Sequence, residues 1–134
     1  MSLAQRINPN KADAACELVR RWKIAPLLAF RLVAMAVRLP FPIAIISGFR
    51  TRSQQDKLGK AGRPTADFDR STHTQCPASG ADVWPTIAAS SEVQATMGLA
   101  AVESGLRWGG GSPVDPRTLI PSDWNHVDLG PRQT

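Results

Sequence analysis

The chain has 134 residues, a length that suits one domain able to bury its own core. Apolar residues make up 43% and charged residues 20%, which excludes a disordered, charge-dominated chain. The net charge of +5 favours anionic partners, but the cations are scattered and there is no Tyr, which argues against a nucleic-acid platform of interleaved aromatic and basic residues.

Asn10 is placed to cap a helix from about Lys11 to Trp22, with Ala12, Ala15, Cys16, Val19 and Trp22 on one face. Arg6, Lys11, Asp13 and Glu17 interrupt this segment, so it carries no uninterrupted apolar export core. A second helix fits Pro26 to Arg38, with Pro in its first turn and Pro40 ending it. The most apolar stretch, Ile24 to Ile46, contains Arg31, Arg38 and three prolines and makes a poor bilayer span. Pro42 to Ile46 is a short β-branched run that reads as a buried strand ending at Ser47-Gly48.

Ser53 opens another helical segment with Gln54, Gln55 and Leu58, and Gly59 to Ser79 reads as an irregular loop. Gly80 to Trp84 is strand-like. Ser91-Glu-Val-Gln94 has capping-box spacing for a helix that stops near Gly105. Leu106 to Trp108 and His126 to Leu129 are short strands, with a loop from Gly109 to Ser122 between them. Helices first, then strands mixed with helices, predict an α+β domain over residues 1–134.

Two histidines occur, and each sits near carboxylates. His73 lies nine residues before Asp82, and His126 is flanked by Asp123 and Asp128. Two neutral imidazoles and one carboxylate are a common ligand set for a catalytic zinc that keeps its fourth position for water. Asp123, close in sequence to a ligand, suits the base that accepts that water's proton. Cys76 offers an alternative third ligand through His73-Thr-Gln-Cys76, or a thiol nucleophile. Cys16 and Cys76 form no disulfide framework.

These residues carry a family resemblance. Ser71, His73 and Asp82 match the ends of a Ser-x-His-x-x-Gly-x-Ala-x-Asp motif, and Asp123, His126, Val127 and Asp128 match an acid-x-x-His-apolar-acid motif. Upstream, Ser47-Gly48-Phe49-Arg50 follows an apolar strand and precedes Gln55, and Trp108-Gly109-Gly110 stands before the second motif. In this order, over about residues 25–130, the chain resembles the zinc D-Ala-D-Ala carboxypeptidases and L-Ala-D-Glu endopeptidases of peptidase family M15, which include phage endolysins. His73 to Asp82 is somewhat longer than the family spacing, Ala78 and Gly80 stand in the intervening segment, and Asp123 replaces the commoner Glu.

The resemblance implies a Hedgehog/DD-peptidase-like fold, a short antiparallel sheet packed with helices. It implies Zn2+ held by His73, Asp82 and His126, with Asp123 as base and Arg50 polarising the scissile carbonyl or anchoring a substrate carboxylate. Ser71, Gln55, Asp128, Trp108 and Trp124 fall to supporting or substrate-binding places. The implied substrate is bacterial peptidoglycan, cut in its peptide stem or crosslink by a monomer without an export signal. If phage-encoded, such a protein would wait in the host cytoplasm before release to the wall. The other reading is a non-catalytic phage structural or wall-binding protein of the same fold.

Overall fold

The structure, a computed structural model, describes residues 4–51, 53, 54, 57 and 71–131. Gln55 and the residues from 58 to 70, which sequence reading assigned to a helix and a loop, lie outside the described residues. The described chain runs β1 (Gln5–Arg6), α1 (Ala14–Trp22), α2 (Pro26–Arg38), β2 (Ile43–Ser47), β3 (Gly80–Pro85), α3 (Ser91–Glu103), β4 (Arg107–Trp108) and β5 (His126–Asp128). This is the expected α+β class.

The first helix departs from expectation at both its start and its face. The Asn8 side chain accepts the Asn10 amide, and the Lys11 amide bonds the Asn8 carbonyl. That closes a turn where a cap was expected, so α1 begins only at Ala14. It buries Ala14, Leu18 and Trp22, while Ala12 and Cys16 are exposed. The i, i+4, i+8 row wins because it contains Leu18, the bulkiest aliphatic side chain of the segment. Lys23 ends the helix in the left-handed region at φ 54°.

Helix α2 has the expected limits, with Pro26 in its first turn and Leu39 extended before Pro40. It buries Leu28, Ala29, Leu32, Met35 and Ala36. Removing each larger side chain from water contributes about 1.5–3 kcal/mol. At α3 the cap is Ser90, whose hydroxyl accepts the Val93 amide, one residue earlier than the Ser91 spacing suggested.

The five strands form one antiparallel sheet in the order β1-β2-β3-β5-β4. Ile43 and Ile45 of β2, Ala81 and Val83 of β3 and Val127 of β5 bury one face in the same core as the three helices. Period-2 alternation therefore puts Asp82 of β3 and both His126 and Asp128 of β5 on the other face. No described helix is long and apolar enough to cross a membrane.

Candidate metal centre

The β3–β5 register makes Asp82 and His126 direct cross-strand partners, and Gly80 the partner of Asp128. Directly opposed side chains on one sheet face lie within reach of each other, so pairing alone brings two polar groups together. His73 arrives from a tight turn before β3. The Ser71 hydroxyl accepts the His73 amide at 3.1 Å, and the Thr74 hydroxyl bonds the Ser71 carbonyl at 3.0 Å. The Arg50 amide then bonds the His73 carbonyl at 2.7 Å, fastening this turn to the segment that follows β2.

The extra length between His73 and Asp82 is taken up before the strand begins. Ser79 and Gly80 both direct their amides to the Thr72 carbonyl, and Ala78 pairs with Ile24 and Lys23 of the neighbouring segment. Gly80 is needed where the turn folds back. A Cβ there would stand 2.0 Å from the Thr72 hydroxyl oxygen and 3.0 Å from Cε1 of His126. Cys76, in the same segment, is exposed and outside the donor group, whereas the carboxylate of Asp82 lies within it.

Three donor atoms converge. His73 Nε2 lies 3.2 Å from Asp82 Oδ1 and 3.2 Å from His126 Nδ1, and His126 Nδ1 lies 3.1 Å from Asp82 Oδ1. Ligands about 2.0–2.2 Å from one tetrahedral ion are separated by roughly 3.3 Å, so this near-equilateral triangle suits a single small cation. Among the described residues this is the one His/Cys/Asp/Glu group so disposed, and it could hold a metal ion. Both imidazoles are buried, at 4% and 6% exposure, whereas Asp82 is only partly covered.

The other nitrogen of each imidazole is occupied, which fixes which nitrogen faces the triangle. His73 Nδ1 donates to the Gly48 carbonyl at 2.7 Å, leaving the Nε2 lone pair for a ligand. His126 Nε2 donates to Asp128 Oδ2 at 2.7 Å, leaving Nδ1. Asp128 is fully buried and is itself held by Arg107, Nε to Oδ1 at 2.8 Å and Nη2 to Oδ2 at 2.9 Å, and by the Gly130 amide at 2.8 Å. Register explains the Arg107 pair, because Arg107 and Asp128 face each other across β4 and β5. On the other side, Arg50 donates from Nη2 to Asp82 Oδ2 at 2.7 Å and from Nε to the Ser47 hydroxyl.

The charges follow from this packing. Burial alone would neutralise Asp82, but hydrogen bonds from His126 and His73, with their charge, hold its carboxyl far below the usual carboxylate range. Burial likewise opposes a charge on His126, yet the bonds to Asp128 and Asp82 raise it to about 9. Asp128 is lowered in the same way by His126 and Arg107. Asp123 moves in the opposite sense. Burial raises its carboxyl, against the charges of His126, His73 and Arg50 and with that of Asp82. Asp123 as a residue is exposed, so this desolvation is local to the carboxyl and the shift is a modest one, with the charges of the donor group acting on it.

Of the remaining residues singled out in the sequence, Ser71 supports the His73 turn through its hydroxyl. Trp108 packs its ring on Gly98 of α3 and donates its indole N–H to the Trp124 carbonyl at 2.7 Å. Trp124 packs against Trp84 with the rings tilted and their centroids 4.7 Å apart, and it lines an open cleft of about 540 Å³. Sequence reading missed Arg107, Thr72 and the Gly48 carbonyl. Arg107 adjoins the Trp-Gly-Gly segment but nothing local points to Asp128. A backbone carbonyl has no sequence signature at all. Thr72, whose hydroxyl lies 3.3 Å from His126 Nε2, stands inside the first metal motif at an unspecified position.

No protein-family model and no curated protein matches the sequence. Among solved structures, the fold is similar to that of an L-Ala D-Glu endopeptidase, ChiX of Serratia marcescens. The TM-score is 0.65 and the identity 18%, over 86% of this chain and 85% of that one. The chain therefore shares the fold of a peptidase that acts on an L-Ala–D-Glu bond.

Proposed function

We propose that this protein is a zinc-dependent peptidase that hydrolyses a peptide bond in the stem or crosslink of bacterial peptidoglycan, as an endopeptidase. The observation that carries the reading is the triangle of His73 Nε2, Asp82 Oδ1 and His126 Nδ1, each imidazole locked by a partner on its far nitrogen. Two imidazole nitrogens and a carboxylate oxygen form a donor set that zinc accepts, with a fourth position left open. The fold shared with an L-Ala D-Glu endopeptidase supports the substrate class, and the order of the sequence motifs supports the reaction type.

When bound, zinc supplies Lewis acidity that makes a water molecule nucleophilic near neutral pH. The chain's own residues do the rest. Asp123 accepts the proton of the attacking water and returns it to the departing amine, a role for which a raised carboxyl pKa is suited. Asp128 and the Gly48 carbonyl hold the imidazoles in the donor tautomer. Arg50 anchors Asp82 and, at the margin of the centre, presents a permanently charged guanidinium to the substrate's carbonyl oxygen or to a carboxylate. Residues 1–134 act as one domain, and the protein acts as a monomer on the cell wall.

Elemental analysis for zinc, together with digestion of purified peptidoglycan, tests the reading. One zinc per chain is expected, with new amino termini that disappear in His126→Ala and Asp123→Ala. Zinc-free protein that releases no termini would leave only a non-catalytic wall-binding role.

A further inference from the structure

The face of the sheet that carries the donor triangle is closed in one direction along the strands and open in the other. Toward Gly80 and Asp128 it is roofed. Asp128 is fully buried, Arg107 grips it through two bonds, and a Cβ on Gly110 would stand 2.7 Å from Cδ2 of His126. Toward the other end, the next residues of the same parity are Trp84, two after Asp82, and Trp124, two before His126. The Val83 amide bonds the Asn125 carbonyl at 2.8 Å, so the two segments stay paired beyond Asp82 and His126. Trp84 and Trp124 meet there with ring centroids 4.7 Å apart and planes tilted by 48°. Trp84 is 43% exposed, although a side chain of that size is ordinarily well buried.

The backbone under this indole pair is fixed on both sides. Trp108 donates its indole N–H to the Trp124 carbonyl at 2.7 Å, and Ala44, the partner of Trp84 across β2, sets only a methyl group beside that ring. Trp124 also lines the cleft of about 540 Å³, where Gln94, Thr118 and Ser122 add neutral hydrogen-bonding groups and no described Lys or Arg takes part. The carboxylate in that lining, Asp115, already accepts the Arg117 amide at Oδ1. Aromatic surface with neutral polar groups beside it matches a sugar, whose ring offers a C–H face to an indole and uncharged hydroxyl and acetamido groups at its edge. The free carboxylates of a peptide would find no cation in this lining.

We infer that Trp84 and Trp124 form a saccharide subsite for the N-acetylated amino sugar from which the peptide stem hangs, so that the enzyme acts on stems still joined to the glycan strand. The inference rests on the peptidase reading and specifies its substrate. Two residues along a strand span about 6.6–6.8 Å, which sets the step from the Asp82–His126 pair to the indoles. Extended chain covers roughly 3.3–3.6 Å per residue, so the lactyl group of the sugar and the first amino acid together bridge the same step. A sugar on the indoles therefore puts the bond after the first residue over the metal ligands. The terminal bond of the stem lies roughly 10 Å further along the chain, beyond what this subsite could position.

Binding and cleavage are read separately, with two substrates that differ only in the sugar: the stem peptide on N-acetylmuramic acid, and the same peptide ending in a free D-lactyl group. Their affinity for zinc-loaded Asp123→Asn protein is measured by calorimetry, and their hydrolysis by the parent protein is followed by mass spectrometry. The sugar is expected to tighten binding about tenfold, as one ring face leaves water, and to lower KM in the same proportion. When Trp84→Ala is added, the ratio between the two substrates should fall to about one, and Trp84→Phe, which keeps a smaller ring, should restore part of it. Equal binding of both substrates overturns the subsite and needs no Trp84 variant to be seen. An unchanged ratio in Trp84→Ala also overturns it, as does an equal loss for both substrates, which would make the indoles a peptide contact. Sugar-dependent binding that Trp84→Ala abolishes, without hydrolysis by the parent, keeps the subsite and overturns the peptidase reading instead.

Discussion

Asp128→Asn isolates the contribution of a residue that is placed to touch neither metal nor substrate. The side chain is fully buried, and asparagine keeps its shape while removing its charge. Around the carboxylate stand four donors: His126 Nε2 and Arg107 Nη2 on Oδ2, Arg107 Nε and the Gly130 amide on Oδ1. An amide offers one oxygen, so whichever way it turns, its NH2 group faces two donors. Set toward Oδ1, it opposes Arg107 and Gly130. Set toward Oδ2, it opposes Arg107 and forces His126 to accept at Nε2, moving the imidazole proton to Nδ1 and spoiling the ligand atom. Hydrogen bonds to a charged group contribute roughly 1.5–3 kcal/mol each, but Arg107 is 33% exposed, so solvent screens part of its share. A loss of about 3 kcal/mol is expected, which lowers the melting temperature by roughly 10 °C in a domain of this size. Loss of such a partner weakens metal binding by about 10- to 100-fold. Chelator competition against a zinc indicator reads the affinity, and circular dichroism melts with and without zinc read the stability. A zinc dissociation constant within about threefold of the parent would refute the reasoning, whatever the melt shows, because Asp128 would then only tie β4 to β5.

Asp123→Asn should retain one zinc per chain while kcat falls by about 10²- to 10⁴-fold, as expected for loss of a general base; coincident loss of zinc would reassign Asp123 to the ligand set. Because burial raises the Asp123 carboxyl, the acid limb of kcat/KM should lie above the ordinary carboxylate range and vanish in this variant. In metal-stripped protein, His126 titrates at about 9 against about 6.5 unfolded, so its roughly 3 kcal/mol of stability is complete below pH 6.5 and lost as pH rises through 9. Denaturant melts across that window check the sign. Zinc must displace the same proton, so its apparent affinity should rise about tenfold per pH unit toward pH 9, with proton release detectable by calorimetry in buffers of different ionisation enthalpy. Gly80→Ala should cost several kcal/mol and weaken zinc, because the new methyl group strikes Thr72 and crowds the His126 ring; an unchanged melt would show that the turn can open.

Much of this site could be read from the sequence, because period-2 alternation and short motifs are local signals. His126 and Asp128 two residues apart must share a face of any strand, and Ser47 to Arg50 follows an apolar run that could only be a buried strand. What could not be read was pairing. Arg107 finds Asp128 through strand register, and His73 finds Gly48 through a carbonyl that every residue possesses. The same limit applies to α1, where Ala12, Ala15, Cys16 and Val19 offered as good an apolar row as the one chosen. The larger side chain of Leu18 decides between them once the helix packs, and it is Leu18 that is buried. The caps at Ser90 and at Thr51 with Gln54 were missed by a residue or two, since adjacent hydroxyl residues are equivalent candidates until the turn geometry selects one.

The direct pairing of Asp82 with His126 makes strand parity, rather than separation along the chain, the quantity that preserves the centre. A single residue inserted within β3 would turn Asp82 toward the helices and bring Ala81 or Val83 to the open face. Residues added between Thr74 and Ser79 leave the register untouched. Related chains can therefore differ freely in the length between their first histidine and their aspartate. The alternation of Gly80, Asp82, His126 and Asp128 tolerates no odd step.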